Sequence, residues 1–390
     1  MHYLDHNATS PLRPESLAAV THALALGGNP SSSHARGRAA RALIDDARAE
    51  IARFAGAPAH EIIFTSGATE AANLALVGAI EGAFDQHEAD KKIARITRLF
   101  VSAIEHPAVS APAHRLAERV PGVRLQTPPV TADGVLDTEA LLVSLREGKG
   151  RALVAVMAAN NETGVIQPIA EVSRMCREAG ALLLVDAVAA AGKIPLDASL
   201  CDYMLLAAHK IGAPQGVGAL ILAKDAPFMP QLVGGGQQGG LRAGTENLSG
   251  IAGFAAASQV LRDNEGERAR IQHLRDRFEN LLKQAIPGAV IFGAAAPRLL
   301  GTSNFALPGL SSETALIALD LDGIMISAGS SCSSGKISTS HVLEAMAVDY
   351  ALTSCALRLS LGWNSEMADI DAAIASLTKL WHRTATRRAA

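Results

Sequence analysis

The segment FTSGATEAANLAL (64–76) places a Ser/Gly/Thr turn between an apolar run and an Ala/Leu-rich stretch typical of a helix. The free backbone N–H groups at the start of such a helix bind anions, and the Thr69 hydroxyl adds a donor. The segment therefore predicts a phosphate-binding turn. Ordinary capping of the helix by Thr69 is the alternative and stays open here.

Two other segments supply an acid and an amine. Asp186 follows the apolar residues 182–185, where it is either a turn residue or a carboxylate that keeps a heteroaromatic nitrogen protonated. Lys210 follows the run 202–208, stands beside His209 and precedes a glycine-rich turn. A desolvated lysine has a lowered pKa and can form a Schiff base, whereas a lysine that merely ends a strand extends to water.

Together the three segments match the phosphate, the pyridine nitrogen and the aldehyde of pyridoxal phosphate. His106, in IEHPAV (104–109), is either a residue that stacks on this planar cofactor and relays protons or a loop histidine. Cys332 lies among Ser and Gly in ISAGSSCSSGK (326–336). This composition predicts an accessible, mobile thiol that can act as a nucleophile, unless the cysteine is incidental to a linker.

The elements that must position these residues lie between about residues 60 and 225. Short apolar runs alternate with longer Ala-rich helical stretches, which favours a mostly parallel sheet covered by helices on both faces. Ligands of such sheets bind beyond the carboxyl ends of the strands. The predicted strands are EIIFT (61–65), RLFVSAI (98–104), ALVAVMA (152–158), ALLLVDA (181–187), DYMLLAA (202–208) and GALILA (218–223).

The sequence changes character after about residue 260. A long charged helix at 262–286 precedes shorter segments, two Gly/Ser-rich loops and a C-terminal helix. We therefore predict an α/β protein with a large domain at 12–260 and a smaller α+β domain. The small domain combines residues 1–11 with residues 261–390 and carries Cys332.

Composition narrows the class of protein. Apolar residues make up 49% of the chain and charged residues 19%, so a sizeable core is expected. A net charge of -3 gives no reason to expect nucleic acid or an anionic membrane as a partner. We see no signal peptide and no apolar span long enough for a membrane. The four scattered cysteines form no CxxC pair, which favours a reducing cytoplasm over disulfides or a resident metal.

Segments along almost the whole chain match one family pattern: YLDHNATSP (3–11), NPSSSHARGRAAR (29–41), FTSGATEAANLAL, EHPAV, NNETGVIQPI (160–169), AHK (208–210), RAGTEN (242–247), SAGSSCSSGK and LRLSLG (357–362). On these segments the chain resembles the NifS/IscS-type cysteine desulfurases, which are class V aminotransferase-like, fold-type I pyridoxal-phosphate enzymes. The resemblance implies a seven-stranded type of central sheet and a homodimer. It also implies removal of sulfur from L-cysteine, release of L-alanine and a persulfide on Cys332 that serves acceptors such as iron–sulfur assembly proteins.

The resemblance implies roles for single residues. Lys210 would hold the cofactor and move protons, Asp186 would pair with the pyridine nitrogen, and His106 would stack on the ring. Asn161 would lie near the phenolic oxygen or the substrate. Arg358 would bind the substrate carboxylate.

Further implied roles concern the phosphate and the substrate. Ala68, Thr69 and His209 would hold the phosphate together with the partner subunit's Thr245. Asn29 would assist in binding the substrate carboxylate. The thiol of Cys332 would be the persulfide carrier and a possible transient ligand of an iron–sulfur cluster shared with a scaffold protein.

Two positions depart from the family pattern. Ala189 stands where the family usually has a Gln that contacts the phenolic oxygen, and Ala207 stands where it has a Ser on the phosphate. Weaker cofactor binding is therefore expected, with the chemistry retained. Two other hypotheses stay open: another class V activity, such as an aminotransferase or a β-lyase, and a catalytically impaired homologue that serves as a scaffold.

Overall fold

The structure is a computed structural model that describes residues 1–57, 62–90, 94–262, 264–329 and 339–389, the last five of these by their backbone alone. Cys332, the predicted persulfide carrier, lies outside the described residues. None of the helices within these ranges is long and apolar enough to cross a membrane.

A seven-stranded sheet forms the centre of the fold. The strands of the described chain are β1 (His2–Tyr3), β2 (Ile62–Thr65), β3 (Ile96–Val101), β4 (Arg124–Gln126), β5 (Arg151–Met157), β6 (Leu182–Asp186), β7 (Tyr203–Ala207), β8 (Gly218–Leu222), β9 (Val290–Ile291), β10 (Thr302–Ala306), β11 (Ile324–Met325), β12 (Ser327–Ala328) and β13 (Ala356–Ser360). The central sheet has the order β2-β8-β7-β6-β5-β3-β4. Strand β8 is antiparallel to β2 and β7, and the other neighbours are parallel, which confirms the mostly parallel prediction.

Helices cover both faces of this sheet. The helices are α1 (Pro14–Leu26), α2 (Ala35–Ala55), α3 (Ala68–Ala89), α4 (Pro107–Arg119), α5 (Thr138–Glu147), α6 (Ile169–Glu178), α7 (Leu248–Arg262), α8 (Glu265–Ala285), α9 (Ser312–Leu321), α10 (His341–Ala345), α11 (Tyr350–Thr353) and α12 (Met367–Ala389). The predicted charged helix is α8, which begins three residues late because the Asn264 side chain accepts a bond from the Glu267 N–H and caps it.

The central strands read as continuous apolar runs because each face is buried against a different set of helices. Val154 and Leu183 pack with residues of α2, α5, α6 and α7. Their neighbours Leu153 and Leu184 point the other way and pack with α3 and α4. Alternation along each strand therefore supplies two cores, and the strand ends are left to carry polar residues.

The C-terminal part of the chain forms two smaller sheets. Strands β12, β13, β10 and β9 are neighbours in an antiparallel sheet, and β1 pairs in parallel with β11. Leu4 lies in the same core as residues of α8, α9, α12, β10 and β13. The N-terminal segment is thus packed against the C-terminal part, while the domain boundaries at 11/12 and 260/261 stay a prediction.

Candidate active site

One cavity of about 810 Å³ gathers most of the predicted site. It lies at the carboxyl ends of the parallel strands β5, β6 and β7, since Met157, Asp186 and Ala207 end these strands and line it. Eight of the predicted residues line the cavity: Ala68, Thr69, His106, Asn161, Asp186, His209, Lys210 and Arg358. The departures Ala189 and Ala207 line it as well.

Two predicted residues lie elsewhere in this chain. The exposed Asn29 accepts a hydrogen bond from the Ser31 N–H through its side-chain oxygen at 2.9 Å. The exposed Thr245 lines a separate cavity of about 120 Å³. Since each was assigned to the substrate or to a partner subunit's cofactor, both roles stay predictions.

The start of α3 forms one end of the cavity. The helix begins at Ala68. The N-cap residue is Gly67, so no side chain caps the helix. Capping by Thr69, the alternative left open by the sequence, is therefore wrong. Glu70 accepts bonds from the Ser66 N–H at 2.7 Å and from Arg242 Nε at 2.8 Å. The arginine neutralises the one acid in this turn, so the positive helix end remains suited to an anion.

Asp186 forms the buried acid of the site. It ends β6 between Met157 of β5 and Leu205 of β7, and its Oδ1 accepts a bond from the Val188 N–H at 2.9 Å. Burial raises the pKa of this carboxyl to about 6, although the Val188 bond and the charge of Lys210 oppose the rise. A buried carboxyl of this kind is stabilised as an anion by a cation beside it, and a protonated pyridine nitrogen fits that requirement.

Lys210 supplies the amine from a short 3₁₀ helix, Ala208–Ile211, that follows β7 directly. Its Nζ donates hydrogen bonds to the Asn7 carbonyl at 2.5 Å and to the Ala8 carbonyl at 2.9 Å. The Lys210 charge also lowers the pKa of Asp186. The amine and the acid therefore meet in one cavity, although 24 positions of sequence separate them.

His106 presents a neutral imidazole. It is the N-cap of α4, where its Nδ1 accepts a bond from the Ala108 N–H at 3.1 Å, so the ring proton is on Nε2. Burial, followed by the charges of Lys210 and His341, lowers the pKa of His106 to about 4. His209, with its Nδ1 3.1 Å from the Thr9 hydroxyl, has its pKa lowered to about 4 by burial and by Lys210.

Arg358 places a guanidinium in the cavity wall. It lies on β13 and is 3% exposed. Its Nη2 donates to Asp5 Oδ1 at 2.7 Å and its Nη1 to the Asn161 carbonyl at 3.1 Å. Within the described chain its Nε has no hydrogen-bond partner. Nη1 and Nη2 each retain a second N–H, which can donate to a bound carboxylate.

Sequence reasoning missed four residues of this neighbourhood. Asp5 and Asn7 hold Arg358 and Lys210, and Lys193 donates to Asn7 Oδ1 at 2.7 Å. Glu105 is buried and accepts a bond from the Met157 N–H at 2.7 Å, and burial together with the charge of Asp186 raises its pKa well above the ordinary value. Asp5 and Asn7 lie in the YLDHNATSP segment and Glu105 lies in IEHPAV, whereas Lys193 lies in neither, and these segments indicate no partners.

Comparison with known proteins places the chain among characterised relatives. The family model described as Aminotransferase class-V matches residues 2–373. An IscS-like cysteine desulfurase of Mycobacterium tuberculosis is 41% identical over 378 residues, which cover 96% of this chain and 94% of that protein.

Solved structures of other proteins share the fold of this chain. The X-ray structure of a NifS-like protein from Rickettsia africae matches with a TM-score of 0.86 and 32% identity, covering 98% of this chain and 99% of that one. A structure of SspA in complex with cysteine matches with a TM-score of 0.79 and 26% identity, covering 94% and 100%. The fold of this chain thus also occurs in a protein whose structure was solved in complex with cysteine.

Proposed function

The chain belongs to the class V aminotransferase family, and we propose that it is a cysteine desulfurase that converts L-cysteine to L-alanine and transfers the sulfur to Cys332. One observation carries the proposal: an amine, a buried acid and an anion-binding helix start line a single cavity of about 810 Å³. Those three groups are spaced along the chain so that only the folded sheet brings them together.

Pyridoxal phosphate is the proposed cofactor, because these residues fit its phosphate, its pyridine nitrogen and its aldehyde group. The first turn of α3, with Ala68 and Thr69, would hold the phosphate together with His209. Asp186 would keep the pyridine nitrogen protonated, and Lys210 would hold the aldehyde carbon. When bound, the cofactor supplies an electron sink that weakens bonds at the substrate α-carbon.

Arg358 orients the substrate. A cysteine carboxylate would accept hydrogen bonds from the guanidinium N–H groups that Asp5 and Asn161 leave unused. This fixes the α-carbon of the cysteine near Lys210, since both side chains line the same cavity. The substrate amine would take the place of Lys210 at the aldehyde carbon, and the released Lys210 amine would then accept the proton from that α-carbon.

Cys332 receives the sulfur. Its thiolate attacks the sulfur of the bound cysteine, so a sulfur–sulfur bond forms while the bond between that sulfur and the β-carbon breaks. The electron pair of the broken bond goes to the β-carbon, which is protonated and leaves as the methyl group of alanine. His106 is the proposed proton carrier beside the cofactor ring. Its imidazole is neutral and has the proton on Nε2.

Proposals about partners rest on the family alone. We propose a homodimer in which the partner subunit's Thr245 completes the phosphate site, and a sulfur acceptor such as an iron–sulfur assembly protein. A reducing cytoplasm is the proposed location, because a thiol that carries persulfide must stay reduced between turnovers.

Product analysis tests this function. The protein, supplied with pyridoxal phosphate, cysteine and dithiothreitol, is expected to release alanine and sulfide in equal amounts. A β-lyase would instead release pyruvate and ammonia, and an aminotransferase would need a keto-acid acceptor. Lys210→Ala is expected to abolish alanine formation, whereas Lys224→Ala, at an exposed position after β8, is expected to leave it unchanged. Pyruvate as the main product would overturn the assignment.

A further inference from the structure

His341 is a second histidine in the wall of the large cavity, and the proposed function assigns it no role. It is the first residue of α10 and lines the cavity together with His106. Burial, then the charges of Lys210 and His341, lower the pKa of His106. The ring of His341 is therefore close to the ring that we assign to the cofactor face.

A hydrogen bond defines the tautomer of His341. Its Nε2 lies 3.0 Å from the backbone carbonyl oxygen of Glu105. A carbonyl oxygen only accepts, so Nε2 donates, and Nδ1 of the neutral ring is left as an acceptor. No hydrogen bond to this Nδ1 occurs within the part of the chain that the structure describes. Because the side chain lines the cavity, this acceptor is available to a bound molecule.

The start of α10 is held in place by Glu162. This buried residue accepts a hydrogen bond at Oε2 from the Ser340 hydroxyl at 2.5 Å. Ser340 is the N-cap of α10, and its hydroxyl oxygen accepts a bond from the Leu343 N–H at 3.1 Å. The backbone next to His341 and the His341 ring are thus held by separate hydrogen bonds, which makes Nδ1 a fixed acceptor.

His341 is connected to the part of the cavity wall that we assign to the substrate carboxylate. Arg358 Nη1 donates to the Asn161 carbonyl at 3.1 Å. The next residue in the sequence is Glu162, which holds Ser340, the residue before His341. The guanidinium and the imidazole are therefore both attached to the two-residue segment 161–162.

A bound cysteine has one donor for which the proposed function names no acceptor. Its carboxylate only accepts and is assigned to Arg358, and its amine is assigned to the aldehyde carbon of the cofactor. The thiol S–H remains, and it is a weak donor that needs a well-placed acceptor. The Nδ1 of His341 is such an acceptor in the same cavity.

We propose that His341 recognises the side chain of the substrate, with its Nδ1 accepting a hydrogen bond from the thiol of bound cysteine. The inference rests on the proposed function, because it takes the cavity to hold cysteine. It adds a means by which the site prefers cysteine to the product alanine, whose methyl group has no hydrogen to donate. His341 is thus a specificity-determining residue.

Two substitutions of His341 separate the cavity acceptor from the bond to Glu105. His341→Gln keeps a donor that can reach the Glu105 carbonyl, but it has no acceptor at the position of Nδ1. His341→Asn places a carbonyl oxygen near the position of Nδ1, but its side chain is too short to replace Nε2. His114→Gln, at an exposed position of α4, is the matched control.

Equilibrium binding of two amino acids tests the proposal. Each substitution is made in the Cys332→Ala protein loaded with pyridoxal phosphate, so that bound cysteine is not consumed. L-cysteine and L-alanine are then titrated, and binding is followed by the absorbance of the cofactor. We expect His341→Gln to raise the Kd for cysteine about threefold to tenfold and to leave the Kd for alanine unchanged. His341→Asn should retain more of the preference for cysteine, and His114→Gln all of it.

The alanine titration shows whether the site of each variant is intact. Unchanged cysteine binding in His341→Gln, or an equal loss for both amino acids, would overturn the inference. A greater loss of cysteine preference in His341→Asn than in His341→Gln would also overturn it, since the bond to Glu105 would then be the one that matters. A parent Cys332→Ala protein that binds neither amino acid would overturn the proposed function, and the inference with it.

Discussion

Arg358 and Asp5, 353 positions apart in the sequence, are joined by a 2.7 Å hydrogen bond between Nη2 and Oδ1. Asp5 is itself held by the Ser327 hydroxyl at 2.7 Å, and Ser327 is the register partner of Arg358 between β12 and β13. The side-chain geometry of Arg358 is therefore set by the small sheet, although the guanidinium faces the large cavity. Strands from distant parts of the chain thus jointly position the group that we assign to the substrate carboxylate.

Arg358→Lys tests that assignment. Lysine keeps the charge but loses the planar fork, so at least one charge-assisted hydrogen bond to the carboxylate disappears. Such a bond is worth about 1.5 kcal/mol or more, so we expect KM for cysteine to rise about tenfold or more. Steady-state kinetics across cysteine concentrations measures this change.

The matched control is Arg277→Lys, because Arg277 pairs with Asp371 at 3.3 Å on the protein surface. We expect its KM to equal that of the wild-type protein. An unchanged KM for the Arg358→Lys protein would remove this residue from the substrate site.

Ala189→Gln together with Ala207→Ser restores the family residues in the cavity. Each added hydrogen bond is worth about 0.5–1.5 kcal/mol, so the dissociation constant for pyridoxal phosphate should fall about twofold to tenfold per residue. Equilibrium titration followed by absorbance measures the change. Ala208→Ser is a neighbouring control, since Ala208 is buried but does not line the cavity. Equal cofactor affinity in the double variant and the wild-type protein would contradict the expected weakness of the natural site.

Asp186→Asn should weaken the binding of pyridoxal phosphate and raise the free energy of unfolding of the cofactor-free protein. Folding raises the pKa of Asp186 from 3.8 to about 6, so the folded state binds this proton more tightly than the unfolded state. The resulting penalty is full above pH 6 and fades as the pH falls towards 4. At about 1.4 kcal/mol per unit, Asn should raise the free energy of unfolding of the cofactor-free protein by roughly 3 kcal/mol at pH 7.5.

Urea unfolding at pH 7.5 and pH 5 measures this effect. The gain in stability from Asn should be clearly smaller at pH 5, and the variant should bind pyridoxal phosphate more weakly than the wild-type protein at both pH values. Asp225→Asn, in an exposed loop, should change neither property. A destabilised Asp186→Asn protein at pH 7.5 would show that the carboxylate is satisfied without a cationic partner.

The sequence predicts local features of this molecule well. Asp186 and Lys210 were identifiable because each directly follows an apolar run, and such runs end at the ligand-binding edge of a parallel sheet. Strand β4 was missed because it is a short edge strand, Arg124–Gln126, in which two of three residues are polar and no residue is fully buried. A strand of this kind leaves no apolar pattern to detect.

A different cause explains why site residues were missed. Asp5, Asn7 and Lys193 act only through groups far away in the sequence, and their types are ordinary for turns and surfaces. Their importance follows from the pairing of β1 with β11 and from the packing of residues 4–7 against β13. No periodicity in a single segment specifies such contacts, because register between distant strands is fixed only by the complete fold.

The decisive observation is where sulfur resides after one turnover. The loaded protein is mixed with one equivalent of L-cysteine without reductant, and its cysteine-containing peptides are analysed by mass spectrometry after alkylation. We expect the added mass of one sulfur atom on the Cys332 peptide of the wild-type and Cys201→Ser proteins, together with one equivalent of alanine, and no sulfur on the protein in Lys210→Ala. Sulfur found on another cysteine, or full alanine and sulfide release by Cys332→Ala with dithiothreitol, would contradict transfer from the Lys210 site to Cys332.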